Sequence, residues 1–355
     1  MLMEMESILL NKYPSPTDFV IETSTQCNLK CAFCARQFTD MKYEPWTLKQ
    51  FETVINKLKP YVNIVRLGVQ GEPLLNDLNF EFMKFLEKEH IMFSLTTNGL
   101  FLNEKAINKF PSNLAVIYDS VDAGSQEIYN IYRDKADFKT WKDNVITFRK
   151  LKPNIPLQVN YLLFKKNLYD IPKMIDFCAN YGLLLSSTFP VIFTEKFAKE
   201  HDAFWLSNLS EIIKINTNYA RARRVSYLCS SGNLEWRKCV LPWQQPLIGV
   251  QGDVYTDFFI YQPRNYEKGK PIIWQEWFRN EYKDVPQDQY IMGNILEENW
   301  KVIWNNYSPF LKYLDKLNNM RYTSKDFRNL RDTTNQFENK WDYCKICGRR
   351  WGFSY

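Results

Sequence analysis

The chain has 355 residues, 45% of them apolar, enough to bury a large core, so disorder as its main state is excluded. Against 40 Asp and Glu stand 46 Lys and Arg, a slight positive excess that permits nucleic acid without demanding it. The opening MLMEMESILLNKYP is interrupted by acids and lacks a basic n-region, and no segment approaches the roughly 18 consecutive apolar residues of a membrane span. A soluble cytoplasmic protein with no membrane partner is therefore expected. Aromatic residues reach 16%, which suits stacking around a planar ligand and also simply fills cores. Only two histidines are present, His90 and His201, leaving little room for histidine-based catalysis.

The apolar pattern alternates between strand and helix from the start. A strand over 18–23 runs into Cys27-Asn-Leu-Lys-Cys31-Ala-Phe-Cys34, and a helix is expected over 47–59. The second strand, 63–67, is followed by Val69-Gln-Gly71-Glu72-Pro73 and a helix over 79–89. Strand 92–96 ends in Thr96-Thr97-Asn98-Gly99, a turn signal before the helix at 103–109. Strand 114–118 leads to Asp119-Ser120-Val121-Asp122-Ala123-Gly124 and a helix over 140–151. Strand 157–164, with Asn160 and Asn167 nearby, helix 169–181 and strand 183–187 complete six βα units. Such alternation predicts a parallel sheet with helical crossovers, and in barrel-like versions the site lies at the C-terminal strand ends.

The eight cysteines are clustered: Cys27, Cys31 and Cys34, then Cys178, Cys229 and Cys239, and finally Cys344 and Cys347. A disulfide scaffold belongs to small secreted domains, so metal binding is the better reading. Three thiolates within eight residues, with no fourth Cys or His nearby, leave a structural zinc one ligand short of its closed shell. A four-iron cluster tolerates that vacancy and keeps one iron open for a substrate or cofactor. Cys178 falls inside a helical pattern and reads as a small buried apolar residue.

The C-x3-C-x2-C loop, with aromatic Phe33 before its last cysteine, resembles the radical S-adenosylmethionine superfamily. The resemblance implies a partial (β/α)6 TIM barrel, a [4Fe-4S] cluster held by Cys27, Cys31 and Cys34, and S-adenosylmethionine as cofactor. It implies further that Gly71, Glu72 and Pro73 stand for the GGE-type motif that holds the methionine amino group. Ser120 and Asp122 then resemble the S-x-D segment that reaches the ribose, with Asn98 and Asn160 as further cofactor-binding candidates.

Beyond a polar, helix-permitting stretch comes Cys239-Val-Leu-Pro242-Trp243, then strand-like residues 246–250, a turn at Gln251-Gly252-Asp253 and a second strand at 254–259. A helix-like segment at 300–304 precedes Cys344-Lys-Ile-Cys347. This half resembles the SPASM and twitch auxiliary-cluster modules of the same superfamily, a small α+β unit. In their pattern a cysteine lies five positions after the hairpin glycine, whereas here that position is Asp257. One auxiliary iron–sulfur cluster is therefore expected at Cys239, Asp257, Cys344 and Cys347, with Cys229 as a rival fourth ligand and a zinc ribbon as a rival site. The expected division is a barrel over 1–195, a helical linker over 196–228 and the auxiliary module over 229–355.

The resemblance implies reductive cleavage of S-adenosylmethionine to a 5′-deoxyadenosyl radical, fed by a flavodoxin- or ferredoxin-type donor, and hydrogen abstraction from a substrate C–H bond. Two fates are open. Electron loss to the auxiliary cluster gives oxidation; hydrogen return from a thiol, with Cys229 as the candidate catalytic donor, gives epimerisation. Because 26 residues precede Cys27, too few for a leader-peptide-binding domain, a sugar, aminocyclitol or other small polar metabolite is favoured over a peptide. Nucleic acid is disfavoured, and a non-catalytic zinc or iron–sulfur module is the competing class.

Overall fold

The structure, a computed structural model, describes residues 14–38, 45–192, 194–204, 206–230, 238–239, 241–256, 273–278, 281–286 and 290–321. Its barrel half alternates strongly. In chain order come β1 (Asp18–Ile21), α1 (Leu48–Leu58), β2 (Ile64–Leu67), α2 (Leu78–Lys88), β3 (Met92–Thr97) and the short α3 (Glu104–Ile107). Next are β4 (Leu114–Ser120), α4 (Gln126–Tyr132), α5 (Phe138–Leu151), β5 (Leu157–Leu162), α6 (Ile171–Tyr181) and β6 (Leu184–Thr188). The expected linker carries α7 (Glu195–His201) and α8 (Leu209–Ala222), and leads to β7 (Tyr227–Cys229), a further strand on the same sheet.

Strands β1 to β7 pair in parallel and in sequence order. On the free side of β1 the chain adds α9 (Leu241–Gln244) and β8 (Leu247–Ile248), which pairs in parallel with β1. The antiparallel β9 (Asp253–Tyr255) and β12 (Ile291–Asn294) follow. A separate antiparallel pair is made by β10 (Ile273–Phe278) and β11 (Glu281–Pro286). Among the described residues the result is an open ten-stranded sheet, the expected α/β architecture of a partial barrel. The predicted hairpin is present as β8 and β9; residues 257–259 of its second strand lie outside the described residues.

Local chemistry explains where the elements start and stop. Thr47 caps α1 in a full capping box: its hydroxyl accepts from Gln50 N, and Gln50 Oε1 accepts from Thr47 N at 2.9 Å. Phe51, Val54, Ile55 and Leu58 form the buried stripe of α1, each worth roughly 1.5–3 kcal/mol of burial. α6 stops at Gly182, whose φ of +62° suits the left-handed cap position. The helix expected at 300–304 continues as α10 (Trp300–Asn318), packing Ile303, Trp304, Tyr307, Phe310, Leu311 and Leu314 into the core.

Register divides the sheet into two faces. Val65, Leu67, Leu95, Ile117, Val159 and Leu185 are buried in the main core. The opposite face carries aligned rows: Val20, Arg66, Ser94 and Val116; then Thr96, Tyr118, Gln158 and Leu184; then Ser120, Asn160, Ser186 and Leu228. This concave, largely polar face is the barrel lumen.

The hairpin side is bolted to the barrel by two side chains. Trp46 Nε1 donates to Val250 O at 2.5 Å. Lys57, on α1, donates to the carbonyls of Ile295, Leu296 and Glu298 at 2.7, 3.1 and 2.9 Å, closing the turn between β12 and α10.

Candidate active site

Loops at the C-terminal ends of β1 to β4 converge on one pocket of about 140 Å³. Cys27, Cys31 and Cys34 all line it, with Phe33 beside them. The cysteine loop is held by backbone: Cys34 N donates to Cys31 O at 3.0 Å, and Ala32 N donates to Tyr132 O at 3.1 Å. Phe33 packs on Phe164, ring centroids 5.1 Å apart. Burial raises all three thiols, Cys31 to about 12, while the nearby guanidiniums of Arg133 and Arg36 pull the other way.

The loop after β2 fits against the cysteine loop because Gly71 has no side chain. A Cβ there would lie 2.0 Å from Ser24 O. The next residue, Glu72, donates its N–H to Gln26 O at 2.7 Å, zipping the two loops together. The Glu72 carboxylate is buried and already engaged. It accepts from Leu74 N at 3.0 Å, from the Thr97 hydroxyl at 2.8 Å and from Asn98 N at 2.7 Å. Glu72 lines the pocket, but three donors from the chain itself fill most of its acceptor capacity, so it is first a brace between β2 and β3. Pro73 starts a single 3-10 turn and lies outside the pocket lining.

Asn98 lines the pocket and links two loops. Its Nδ2 donates to Asn28 Oδ1 at 2.9 Å and approaches Cys27 Sγ at 3.8 Å. Ser120, at the end of β4, lines the pocket too. Asp122 does not, because another residue has claimed it. Its Oδ2 accepts from Arg133 Nη2 at 2.6 Å and Nε at 3.1 Å, and its Oδ1 accepts from Leu162 N at 2.7 Å. Arg133 does line the pocket, with Nη1 3.9 Å from Cys31 Sγ. Asn160 faces the lumen beside Ser120 and accepts from Gln158 Nε2 at 2.9 Å, but stays outside the pocket lining.

Sequence reasoning missed Arg133, and with it Arg36, Thr96 and Thr97 in the lining. Arg133 directly follows α4, a helix the apolar pattern did not announce. The signal available was a lone arginine shortly after the acidic strand end at Asp122.

Of the auxiliary candidates, Cys229 and Cys239 fall among the described residues. Cys229 pairs in register with Ser187, on the face of the sheet that carries Leu185, and packs against the core. The lumen-facing position of β7 is Leu228, opposite Ser186. The sheet thus turns Cys229 away from the lumen. Cys239 is buried, its backbone clamped by Asn318: Cys239 N donates to Oδ1 at 3.0 Å and Nδ2 donates to Cys239 O at 2.9 Å. Asp257, Cys344 and Cys347 lie outside the described residues. Cys178 is fully buried in α6, as expected.

Three thiols on one cavity fit a polynuclear cluster better than a single ion. A lone zinc draws its sulfurs to about 2.3 Å from itself. Among the described residues no group of three His, Cys, Asp or Glu side chains is placed to hold one metal ion. A cubane takes one thiolate per iron and so accepts sulfurs spread around a pocket, and the guanidiniums of Arg36 and Arg133 in the same lining would offset its charge.

Residues 21–178 match the Radical SAM superfamily model, so this part of the chain is a radical S-adenosylmethionine domain. The chain is 28% identical over 170 residues to a probable GTP 3′,8-cyclase of Methanocaldococcus jannaschii, a match covering 46% of this chain and 56% of that one. It is 21% identical over 167 residues to AlbA, the antilisterial bacteriocin subtilosin biosynthesis protein of Bacillus subtilis, covering 46% and 37%. The chain therefore spans little more than half of the archaeal relative and less of the bacterial one. In fold it resembles Streptococcus suis SuiB bound to precursor peptide SuiA, with a TM-score of 0.66, 15% identity and coverage of 92% of this chain and 72% of that one.

Proposed function

We propose that the chain holds a [4Fe-4S] cluster at Cys27, Cys31 and Cys34, binds S-adenosylmethionine beside it, and oxidises a small polar metabolite placed in the barrel lumen. The carrying observation is convergence: the thiols, Gly71, Glu72, Asn98, Ser120 and Arg133 line one pocket at the strand ends. When bound, cluster and cofactor supply a carbon radical able to take hydrogen from an unactivated C–H bond.

The chain's own task is placement. Gly71 keeps the β2 loop seated against the cysteine loop at the pocket, Ser120 and Asn98 offer hydrogen bonds, and Arg133 offers a cation already fixed by Asp122. The lumen rows offer Ser94, Thr96, Tyr118, Gln158, Asn160 and Ser186 to a polar substrate, the kind of pre-set positioning that lowers a barrier through orientation. Because Cys229 faces the other way, oxidation is the favoured fate over epimerisation. We further place one auxiliary iron–sulfur cluster at Cys239, Asp257, Cys344 and Cys347; its support is the β8–β9 hairpin with Gly252 at φ +87° in the turn. An external flavodoxin- or ferredoxin-type protein in a reducing cytoplasm supplies the electron.

Modification of a peptide is the second reading, favoured by the SuiB-like fold. Incubation of the iron-reconstituted protein with candidate metabolites and peptides, reductant and S-adenosylmethionine separates the two. A metabolite lighter by about two mass units supports the first reading through loss of two hydrogens. A modified peptide with untouched metabolites supports the second.

A further inference from the structure

Arg66 stands on the lumen face of β2, in register with Ser94 of β3 and two positions before Gly68, where the strand gives way to the pocket loop. Its guanidinium lies over the Tyr118 ring, 4.3 Å from the centroid. Tyr118 shares its row with Thr96, which lines the cysteine pocket. Arg66 thus starts one lumen layer below Thr96, about 7 Å at two residues per layer, and its guanidinium reaches up to the layer that Tyr118 and Thr96 share.

The Arg66 charge has no acidic partner among the described residues, and its buried Nε has no acceptor. Arg133 shows the contrast, tied to Asp122 through two nitrogens. A half-buried guanidinium with open donors is costly unless something fills them. Its flat fork matches two oxygens of one anionic group, and stacking on Tyr118 fixes the direction of that fork.

We propose that Arg66 is a specificity-determining residue that binds an oxyanion of the substrate, a carboxylate or a phosphate, at the floor of the lumen. This rests on the reading above that the lumen holds the substrate. The cofactor's own carboxylate has a nearer cation in Arg133, which lines the pocket and approaches Cys31 Sγ. The deeper Arg66 is left for the second ligand. The substrate class thereby narrows to small polar metabolites carrying a negative group.

Isothermal titration of the reconstituted protein, saturated with S-adenosylmethionine, with inorganic phosphate and with malonate tests this. Saturable binding of either anion, weakened about tenfold or more in Arg66→Gln, is expected; preference for phosphate or for malonate tells which group the substrate carries. In the wild-type protein the bound anion should also slow phenylglyoxal modification of Arg66, read by peptide mass, which keeps the test independent of whether the variant folds. Equal affinity in Arg66→Gln, no anion binding, unprotected Arg66, or displacement of the anion by S-adenosylmethionine overturns the proposal. Wild-type cleavage of S-adenosylmethionine is scored separately: its absence with the anion still held at Arg66 removes the radical reading and leaves this site standing.

Discussion

Arg133 and Asp122 form an ion pair sealed under the pocket, Nη2 to Oδ2 at 2.6 Å, with side chains 5% and 1% exposed. Asp122 adopts a left-handed φ of +59° to make it, a conformation that a short polar side chain bonded to neighbouring backbone tolerates. Asp122→Ala should leave Arg133 charged, buried and uncompensated, costing about 3–5 kcal/mol. Arg133→Met in the same chain should recover part of that loss. Chemical denaturation of the two variants checks it, and equal stability of the single and double variants would show that the charge, once unpaired, finds water.

Gly71→Ala probes the seam between the β1 and β2 loops. The added methyl would sit 2.0 Å from Ser24 O, a backbone atom that cannot swing aside. The loops should part, breaking the bond from Glu72 N to Gln26 O and displacing Cys27 beyond it. Iron uptake on reconstitution should fall well below that of the wild type while α-helical content is kept. Full iron uptake would mean that the seam is not needed for the cluster site.

Asp119 gives the protein a pH signature. It is fully buried at the end of β4, and burial pushes its carboxyl up to about 8, opposed by the hydrogen bond from Trp141 Nε1 at 3.1 Å. The folded state keeps a proton that the unfolded chain releases near pH 4. Stability from this group is complete below that value and drains away as pH rises towards about 8. Glu22, pushed by burial to about 7, acts in the same direction. Asp119→Asn keeps an acceptor for Trp141 without the titration, so its urea midpoint should fall less than that of the wild type between about pH 5 and pH 8. Parallel profiles would contradict the burial argument.

Lys57→Met should loosen the hairpin side from the barrel. The ammonium satisfies three carbonyls at the β12–α10 turn, and methionine replaces the stem but none of the donors. A loss of roughly 1–3 kcal/mol is expected, measured as a lower thermal midpoint. An unchanged midpoint would mean that water replaces the ammonium without cost.

The βα alternation was legible because β1 to β6 pair in parallel and their apolar residues repeat with the period of the element. The strand-end motifs were legible for a related reason: Cys27, Gly71, Asn98 and Ser120 each follow a clear strand. Their partners were not. Whether Asp122 meets a ribose or an arginine depends on α4, whose Tyr129 and Tyr132 are buried without forming a long periodic stripe. Whether Glu72 faces a ligand or the chain depends on the Thr97 hydroxyl and Asn98 N–H, brought across from β3. The direction of Cys229 depended on strand register, since one residue of slip would have turned it to the lumen. Arg66 was passed over because a single charge within a four-residue strand reads as a solvated position until β4, two strands away, sets the Tyr118 ring against its guanidinium.

Radical chemistry at the Cys27, Cys31 and Cys34 site is read by measuring 5′-deoxyadenosine from anaerobically reconstituted protein given reductant and S-adenosylmethionine, beside the Cys31→Ala variant. The wild type should form 5′-deoxyadenosine in a cofactor-dependent way and Cys31→Ala none above background, because one iron of the cluster would lose its thiolate. Undiminished 5′-deoxyadenosine from Cys31→Ala, or none from a wild-type protein with its iron in place, would contradict it.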